Sequence, residues 1–387
     1  MVYFDHAAST PVDPLIIDFY AEALTRDNAN PSSQHSLGRN LNKRIQKSKE
    51  SILEDILNLK SGEFELVFTS SATESNNSVI FGMQKEIEVK KQFSLFFNSD
   101  HPSLVAPHSR FLKGSARALD NVSKSFINTD FLKKKEIDLK FCGLVCLTEV
   151  NSVSGEQIDI VSIAKKIKSI NPKIHIHVDG VQAIFKTRSE LGDLSQYIDS
   201  YAFSGHKFGA PKGVAGLVLK KVAKVEPLLL GGGHQGGMRS STVSSALVET
   251  LEKVMLVNQE NFLSSYNSVS GLSSRLNKSL KENLGSSIRY PFDKLQTSPY
   301  INSFLIPGIP SDVIMRHLGE HEIFVSSGSA CSAKSQKGLV ILKALGISKK
   351  FERNLIRVSL NHNSSEADIE KFYICLKEVV SDLSFLS

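Results

Sequence analysis

The chain has 387 residues, 41% hydrophobic and 22% charged, with a formal net charge of +6. That length exceeds one ordinary core and that composition excludes a disordered or fibrous chain, so a globular protein of two or three domains is expected. The positive charge is spread over helix-like segments such as "NKRIQKSKE" and Trp is absent, which argues against a nucleic-acid-binding face and for solvated helices.

The opening "MVYFDHAAST" lacks a basic segment followed by an apolar one, and no apolar run approaches bilayer length. No membrane association and a cytoplasmic location are expected. Along the chain, short β-branched or aromatic runs alternate with longer helical patterns. The strands predicted are "FELVFTS", "FSLFFNS", "CGLVCLTEV", "IHIHVD", "SYAFSG" and "VAGLVLK". Segments of helical period such as "SNNSVIFGMQKEIEVKK" and "IVSIAKKIKSI" lie between them, the signature of βαβ units and a mostly parallel sheet.

The large α/β domain is expected over residues 15–255. A long helical stretch starting at "SALVETLEKV" then bridges to a smaller α+β domain made of residues 1–14 and 256–387. Its expected elements are strand "NSFLIP", helix "SDVIMRHLGEH", strands "EIFVSS" and "NLIRVSL", and helix "SEADIEKFYICLKEVVSDL".

Ligands of an open parallel sheet gather at the carboxyl ends of its strands, so the residues just after each run belong together. After "ELVFTS" comes "SATESNN", where Thr73 and free backbone N–H groups open a helix suited to phosphate. After "SLFFNS" comes Asp100-His101, and after "CLTEV" comes Asn151. Asp179 ends "IHIHVD", with Gln182 one turn on, and Ser204, His206 and Lys207 follow "YAF". Phosphate donors, an aromatic ring (His101), a carboxylate (Asp179) and a lysine are the parts needed to hold pyridoxal phosphate. A lysine beside a second cationic group is a candidate for imine formation, although "HKFGAPKG" read alone is also an ordinary turn after a strand.

Two rivals stand beside that reading. His175, His177 and Asp179 alternate along one strand and would share a face, as metal ligands do. "GGGHQGGMRSST" is glycine-rich like a phosphate loop but lacks the terminal Gly-Lys-Ser/Thr. Four scattered cysteines do not make a disulfide framework and point to a reducing compartment. Cys142, Cys146 and Cys375 sit in apolar runs and are expected to pack. Cys331 lies in the small, polar "SSGSACSAKSQKG" with Lys334 near it, the setting of a reactive thiol.

These stretches, in order, resemble the cysteine desulfurases of the class V aminotransferase group, which are fold-type I pyridoxal phosphate enzymes. The matching segments are "FDHAASTPVDP", "NPSSQHSLG", "FTSSATESNN", "SDHPSLVAP", "HVDGVQA", "SGHKFGAPKG", "RSST" and "SSGSACSAK", which together span essentially the whole chain. The resemblance implies a large domain built on a mostly parallel seven-stranded sheet, with a smaller α+β domain. It implies that Lys207 forms the imine, His101 stacks on the ring, Asp179 pairs with the pyridine nitrogen, and Gln182 and Asn151 bond near the ring oxygen. Ala72, Thr73, Ser204 and His206 would hold the phosphate, joined by Thr242 from the other subunit of a homodimer. Arg357 and Asn151 would bind the substrate, Arg357 at its carboxylate, His101 would also handle the thiol proton, and Cys331 would accept the sulfur of L-cysteine, passing it to an acceptor or iron-sulfur scaffold protein.

The chain departs from the family pattern at "NSVSG", which keeps Asn151 but lacks the family's acid. It departs again at "RSST", where Ser241 replaces a usual glycine, and at "GGGHQGG". A selenocysteine lyase or another class V lyase would keep Lys207 and Asp179 without needing Cys331. A cofactor-free basic binding protein is the alternative from another class.

Overall fold

The computed structural model describes residues 1–120, 137–327 and 336–384. In chain order its first strands are β1 (Val2–Tyr3), β2 (Phe64–Thr69), β3 (Phe93–Phe97) and β4 (Ala116–Leu119). The next four are β5 (Cys142–Thr148), β6 (His175–Asp179), β7 (Ser200–Ser204) and β8 (Ala215–Lys220). β9 (Ile301–Leu305), β10 (Ile323–Phe324) and β11 (Leu355–Ser359) follow.

β2 through β8 form one seven-stranded sheet in the order β2-β8-β7-β6-β5-β3-β4. β8 alone among them runs antiparallel to its neighbours β2 and β7. Every residue of β3, β5, β6 and β7 is buried, as expected of strands covered by helices on both faces. One face packs on Val79, Ile80, Ile87 and Leu104, from helices Ala72–Gly82, Gln84–Val89 and Pro102–Phe111. The other packs on Ile45, Ile163 and Leu251, from helices Ser36–Glu50, Ile160–Ile170 and Ser245–Glu260.

β4 was not expected from the sequence. Its "ARAL" is short and leaves Arg117 and Ala118 exposed at the sheet edge, so it shows neither an apolar run nor a clean alternation. The expected bridging stretch is two helices, Ser245–Glu260 and Phe262–Leu284, separated at Asn261. The first contributes Val248 and Leu251 to the sheet's core, and the second contributes Val269, Leu272, Leu276 and Leu280 to another. Phe4, β9, β11 and the helix Glu366–Ser384 share that second core, where Phe4 meets Phe372 edge-on at 5.7 Å.

The N-terminal segment ties the two cores together. β1 pairs with β10, Ala7 N–H donates to Ser359 Oγ at 2.9 Å, and Thr10 Oγ1 donates to the Lys207 carbonyl at 3.0 Å. Residues 5–10 therefore cross the carboxyl ends of the sheet strands, which brings their backbone carbonyls to the Lys207 turn.

Candidate active site

The residues that follow β2, β3, β5, β6 and β7 meet in one cavity of about 310 Å³. It is lined by Ala72, Thr73, His101, Asn151, Asp179, Gln182, Ser204, His206 and Lys207, with Arg357 reaching in from β11. Thr242 is exposed and does not line it, so within one chain the structure does not bring Thr242 to the other residues. Cys331 lies outside the described residues. Its flanks do reach the site: Ser326 exchanges backbone hydrogen bonds with Arg357, and Ile341 lines the cavity.

Lys207 sits in the single turn Gly205–Lys207 that ends β7. Gly209, two residues on, takes φ +97, a backbone state open to glycine at little cost, and the chain turns back into β8. The Lys207 ammonium donates to the carbonyls of Ala7 and Ala8 at 2.8 and 2.9 Å. Gln182 Nε2 donates to the same Ala7 carbonyl at 2.8 Å, and its Oε1 accepts from Lys186 at 3.4 Å. Lys186 is buried. Desolvation first, then the charges of Lys207 and Arg357, push its amine down to about 7.

Asp179 accepts from Val181 N–H at 3.1 Å and from Asn76 Nδ2 at 2.9 Å. His101 Nδ1 accepts the Ser103 backbone N–H at 3.2 Å, and burial lowers the pKa of its ring. Ser71 caps the helix Ala72–Gly82 by accepting from Glu74 N–H, while Ala72 and Thr73, in the first turn, have no carbonyl one turn back to receive their N–H groups. That terminus is an anion site by construction. His206 Nδ1 lies 3.3 Å from Ser9 Oγ, and burial lowers its pKa to about 4.

Arg357 is almost wholly buried. Its Nη2 pairs with Asp5 at 2.7 Å and its Nη1 donates to the Ser152 carbonyl at 2.8 Å, while its buried Nε has no partner among the described residues. The Asn151 amide is committed to its own turn: Oδ1 accepts from Val153 and Ser154 N–H, and Nδ2 donates to the Ser99 carbonyl. It shapes the cavity wall by holding that turn.

The family model for class-V aminotransferases matches residues 2–372. The chain belongs to the class-V aminotransferase family. It is 30% identical to a mitosomal cysteine desulfurase of Trachipleistophora hominis, over 96% of this chain and 84% of that protein. It is 27% identical to a NifS/IcsS protein homolog of Lactobacillus delbrueckii subsp. bulgaricus, over 99% and 98% of the two chains. Among solved structures, a NifS-like protein superposes with a TM-score of 0.85 at 26% identity, covering 99% of each chain. The NifS-like protein of Rickettsia africae gives 0.84 at 25% identity, covering 98% and 99%.

Class-V aminotransferases and cysteine desulfurases depend on pyridoxal phosphate, and the donor set here fits that group. First-turn N–H groups stand ready for a phosphate, a buried carboxylate for a ring nitrogen, and a primary amine for an aldehyde, all on one wall system. The polar chemistry needed to bind the cofactor is present in the folded chain.

Sequence reasoning passed over several residues of this class-V site. Asp5 touches Arg357 from the matching segment "FDHAASTPVDP", where the resemblance assigns it no role, and Lys186 touches Gln182 from a segment with no chemical signature of its own. Asp100 stands beside His101 in the sequence with no motif to mark its task. It is fully buried, accepts from Phe97 N–H and Thr148 Oγ1, and burial pushes its carboxyl up to about 7. Its hydrogen bonds hold the turn that presents His101. His175 and His177 do share a face, as their alternation predicts, and both bond Ser200 there. The GGGHQGG segment covers the edge of β2: Gln235 exchanges two hydrogen bonds with the Phe68 backbone, at 2.7 and 2.8 Å. Ser241, where glycine was expected, is held at φ +102.

Proposed function

We propose that this chain is a cysteine desulfurase, which binds pyridoxal phosphate and L-cysteine, releases L-alanine and leaves the sulfur as a persulfide on Cys331. The observation that carries this is the meeting of Lys207, Asp179, His101 and Arg357 in one cavity. The name carried by its curated relatives supports the same reaction.

When bound, pyridoxal phosphate supplies an aldehyde that takes an amine and a protonated ring that draws the electron pair of a breaking bond. Ala72 and Thr73 N–H groups, Ser204 and His206 hold the phosphate, with Thr242 contributed by the second copy of a homodimer. Asp179 holds the proton on the pyridine nitrogen, and Gln182 and Asn151 stand near the ring oxygen. Arg357 takes the substrate carboxylate, while Asp5 and Ser152 keep the guanidinium plane from turning.

Lys207, released from the Ala7 and Ala8 carbonyls, moves the proton at the substrate Cα. The Cys331 thiolate attacks the substrate sulfur. An S–S bond forms, the Cβ–S bond breaks, its electron pair stays on carbon, and a proton completes the methyl group of alanine. The other three thiols are poor candidates for this attack, because burial raises the pKa of Cys375, Cys142 (to about 12) and, most of all, Cys146. The persulfide then goes to an acceptor or iron-sulfur scaffold protein.

The test adds pyridoxal phosphate, then cysteine, to the purified chain. A visible absorbance band, alanine formation and a persulfide mapped to Cys331 are expected. Cys331→Ser should keep the band and lose sulfide release. A protein that stays colourless sinks the enzyme reading, and a Cys331→Ser variant that still turns cysteine into alanine would make it a lyase.

A further inference from the structure

The histidines that resemble a metal pair in the sequence have another use in the fold. Asn76 lies one turn into the helix Ala72–Gly82, is fully buried, and uses every polar atom of its amide. Nδ2 donates to Asp179 Oδ2 and to Ser103 Oγ, each at 2.9 Å, and Oδ1 lies 2.9 Å from His177 Nε2. An amide oxygen only accepts, so His177 carries a proton on Nε2.

Burial holds the His177 ring neutral, with its pKa pushed down to about 3, so Nδ1 is bare. Ser200 Oγ, 2.8 Å away, must then donate to it, and accepts in turn from His175 Nε2 at 2.7 Å. On the other branch, Ser103 Oγ has taken an N–H from Asn76 and gives its own proton to His101 Nδ1 at 2.8 Å. That nitrogen also accepts the Ser103 backbone N–H, which leaves the His101 proton on Nε2. Every proton in the chain from His175 to His101 thus has one consistent place. Were the Asn76 amide turned over, its oxygen would face the Asp179 carboxylate, acceptor against acceptor.

We propose that Asn76 and His177 are positioning residues: one amide orientation, locked by the His177 N–H, fixes both the carboxylate of Asp179 and the tautomer of His101. The two groups that flank the ring-binding space are thereby set together. The proposal rests on the cofactor reading above for its consequence, and on the hydrogen-bond geometry alone for its first step.

The experiment compares wild type with His177→Leu, His177→Gln and Ser103→Ala. Leucine removes the N–H, whereas glutamine can place an amide N–H near the same point. Retention of pyridoxal phosphate, measured by equilibrium dialysis, should fall about tenfold in His177→Leu, the size of one buried hydrogen bond, and return in His177→Gln. Nitrogen-15 spectra of the cofactor-free protein at pH 7 should show His177 and His101 each as the single Nε2–H form. A share of the Nδ1–H form should appear at His101 in His177→Leu and Ser103→Ala, where the 3.2 Å bond from the residue-103 backbone N–H is left without its 2.8 Å hydroxyl partner, but not in His177→Gln.

A His177→Leu protein that holds pyridoxal phosphate like wild type, with His101 unchanged, overturns the proposal and leaves the desulfurase reading standing. A wild type that takes up no pyridoxal phosphate sinks that reading, and the spectra then decide the proposal by themselves. The same spectra decide it if His177→Leu does not fold: a proton on Nδ1 of either histidine in wild type overturns it.

Discussion

Two cavities of similar size flank the middle of the sheet, and one of them is the candidate site. Thr148 and Asp179 pair across β5 and β6 and face the cavity of about 310 Å³. Glu149, the next residue, faces the other way into a space of about 360 Å³, with Tyr201, whose partner Val178 also faces away from Asp179. Each cavity has a buried carboxylate, but their hydrogen bonding differs. Glu149 is capped at both oxygens, by Ser189 Oγ and by Tyr201 OH, and burial raises its pKa. The Asp179 side instead keeps first-turn N–H groups, a lysine parked on carbonyls and an Arg357 Nε with no partner among the described residues. Unspent hydrogen bonds mark a binding site; volume does not.

Tyr201 can reach Glu149 only because residue 180 is glycine. A Cβ at Gly180 would stand 1.9 Å from the Tyr201 phenol. The capped pair therefore braces, from beneath, the loop that carries Asp179 and Gln182.

The sharpest way to break this contrast is Lys207→Ala. With the amine gone, no borohydride-reducible adduct should form, and turnover should fall by about 10³-fold or more. An adduct that persists, located by peptide mapping, would assign the chemistry to another lysine such as Lys186.

Asp179→Asn comes next. An amide cannot stabilise a proton on a ring nitrogen as a carboxylate does, so kcat should fall on the order of 10²-fold in steady-state assays while the fold is kept. Normal turnover would remove Asp179 from the chemistry.

Acid should then strike the site-bearing face first. His108, His175 and His177 all lie on that side and are buried neutral, with pKa values lowered from 6.5 to about 4, 4 and 3. The unfolded chain takes up protons first, so their stabilisation is complete above about pH 6.5 and is lost as pH falls toward 4. The loss by pH 5 is about 2 kcal/mol per histidine, and denaturant titrations from pH 7 to 5 should show it. A flat profile would place these rings in contact with water.

Ser241→Gly lies outside both cavities. Relief of a positive φ should raise stability by about 1 kcal/mol, seen as a higher Tm.

The smallest effect is expected from Glu149→Gln, the same carboxylate-to-amide change on the capped side. Turnover and cofactor retention should match wild type, and stability should stay within about 1 kcal/mol near neutral pH. Because the folded pKa of Glu149 is raised, its stabilising contribution is complete below about pH 4.5 and is lost as pH rises above that, so the variant should gain on wild type over that rise. Loss of turnover in Glu149→Gln would extend the active site to the second cavity.

The strand ends that carry the site were legible in the sequence. An apolar run closed by Thr, Asp or Ser-x-x-Lys marks the carboxyl end of a buried parallel strand, and there the order of the chain and the geometry of the sheet give the same answer. The alternation in "HIHVD" likewise determined that both histidines and Asp179 share a face. Tertiary structure alone decided what each of those groups touches. Arg357 is held by Asp5, 352 residues away, and Asp179 by Asn76, 103 residues away. It alone decided that Glu149 is capped while Thr148, beside it, faces the site. The physical reason is one of range: backbone pattern is set by neighbours along the chain, whereas a buried polar atom is satisfied by whichever donor the packed elements bring within 3 Å.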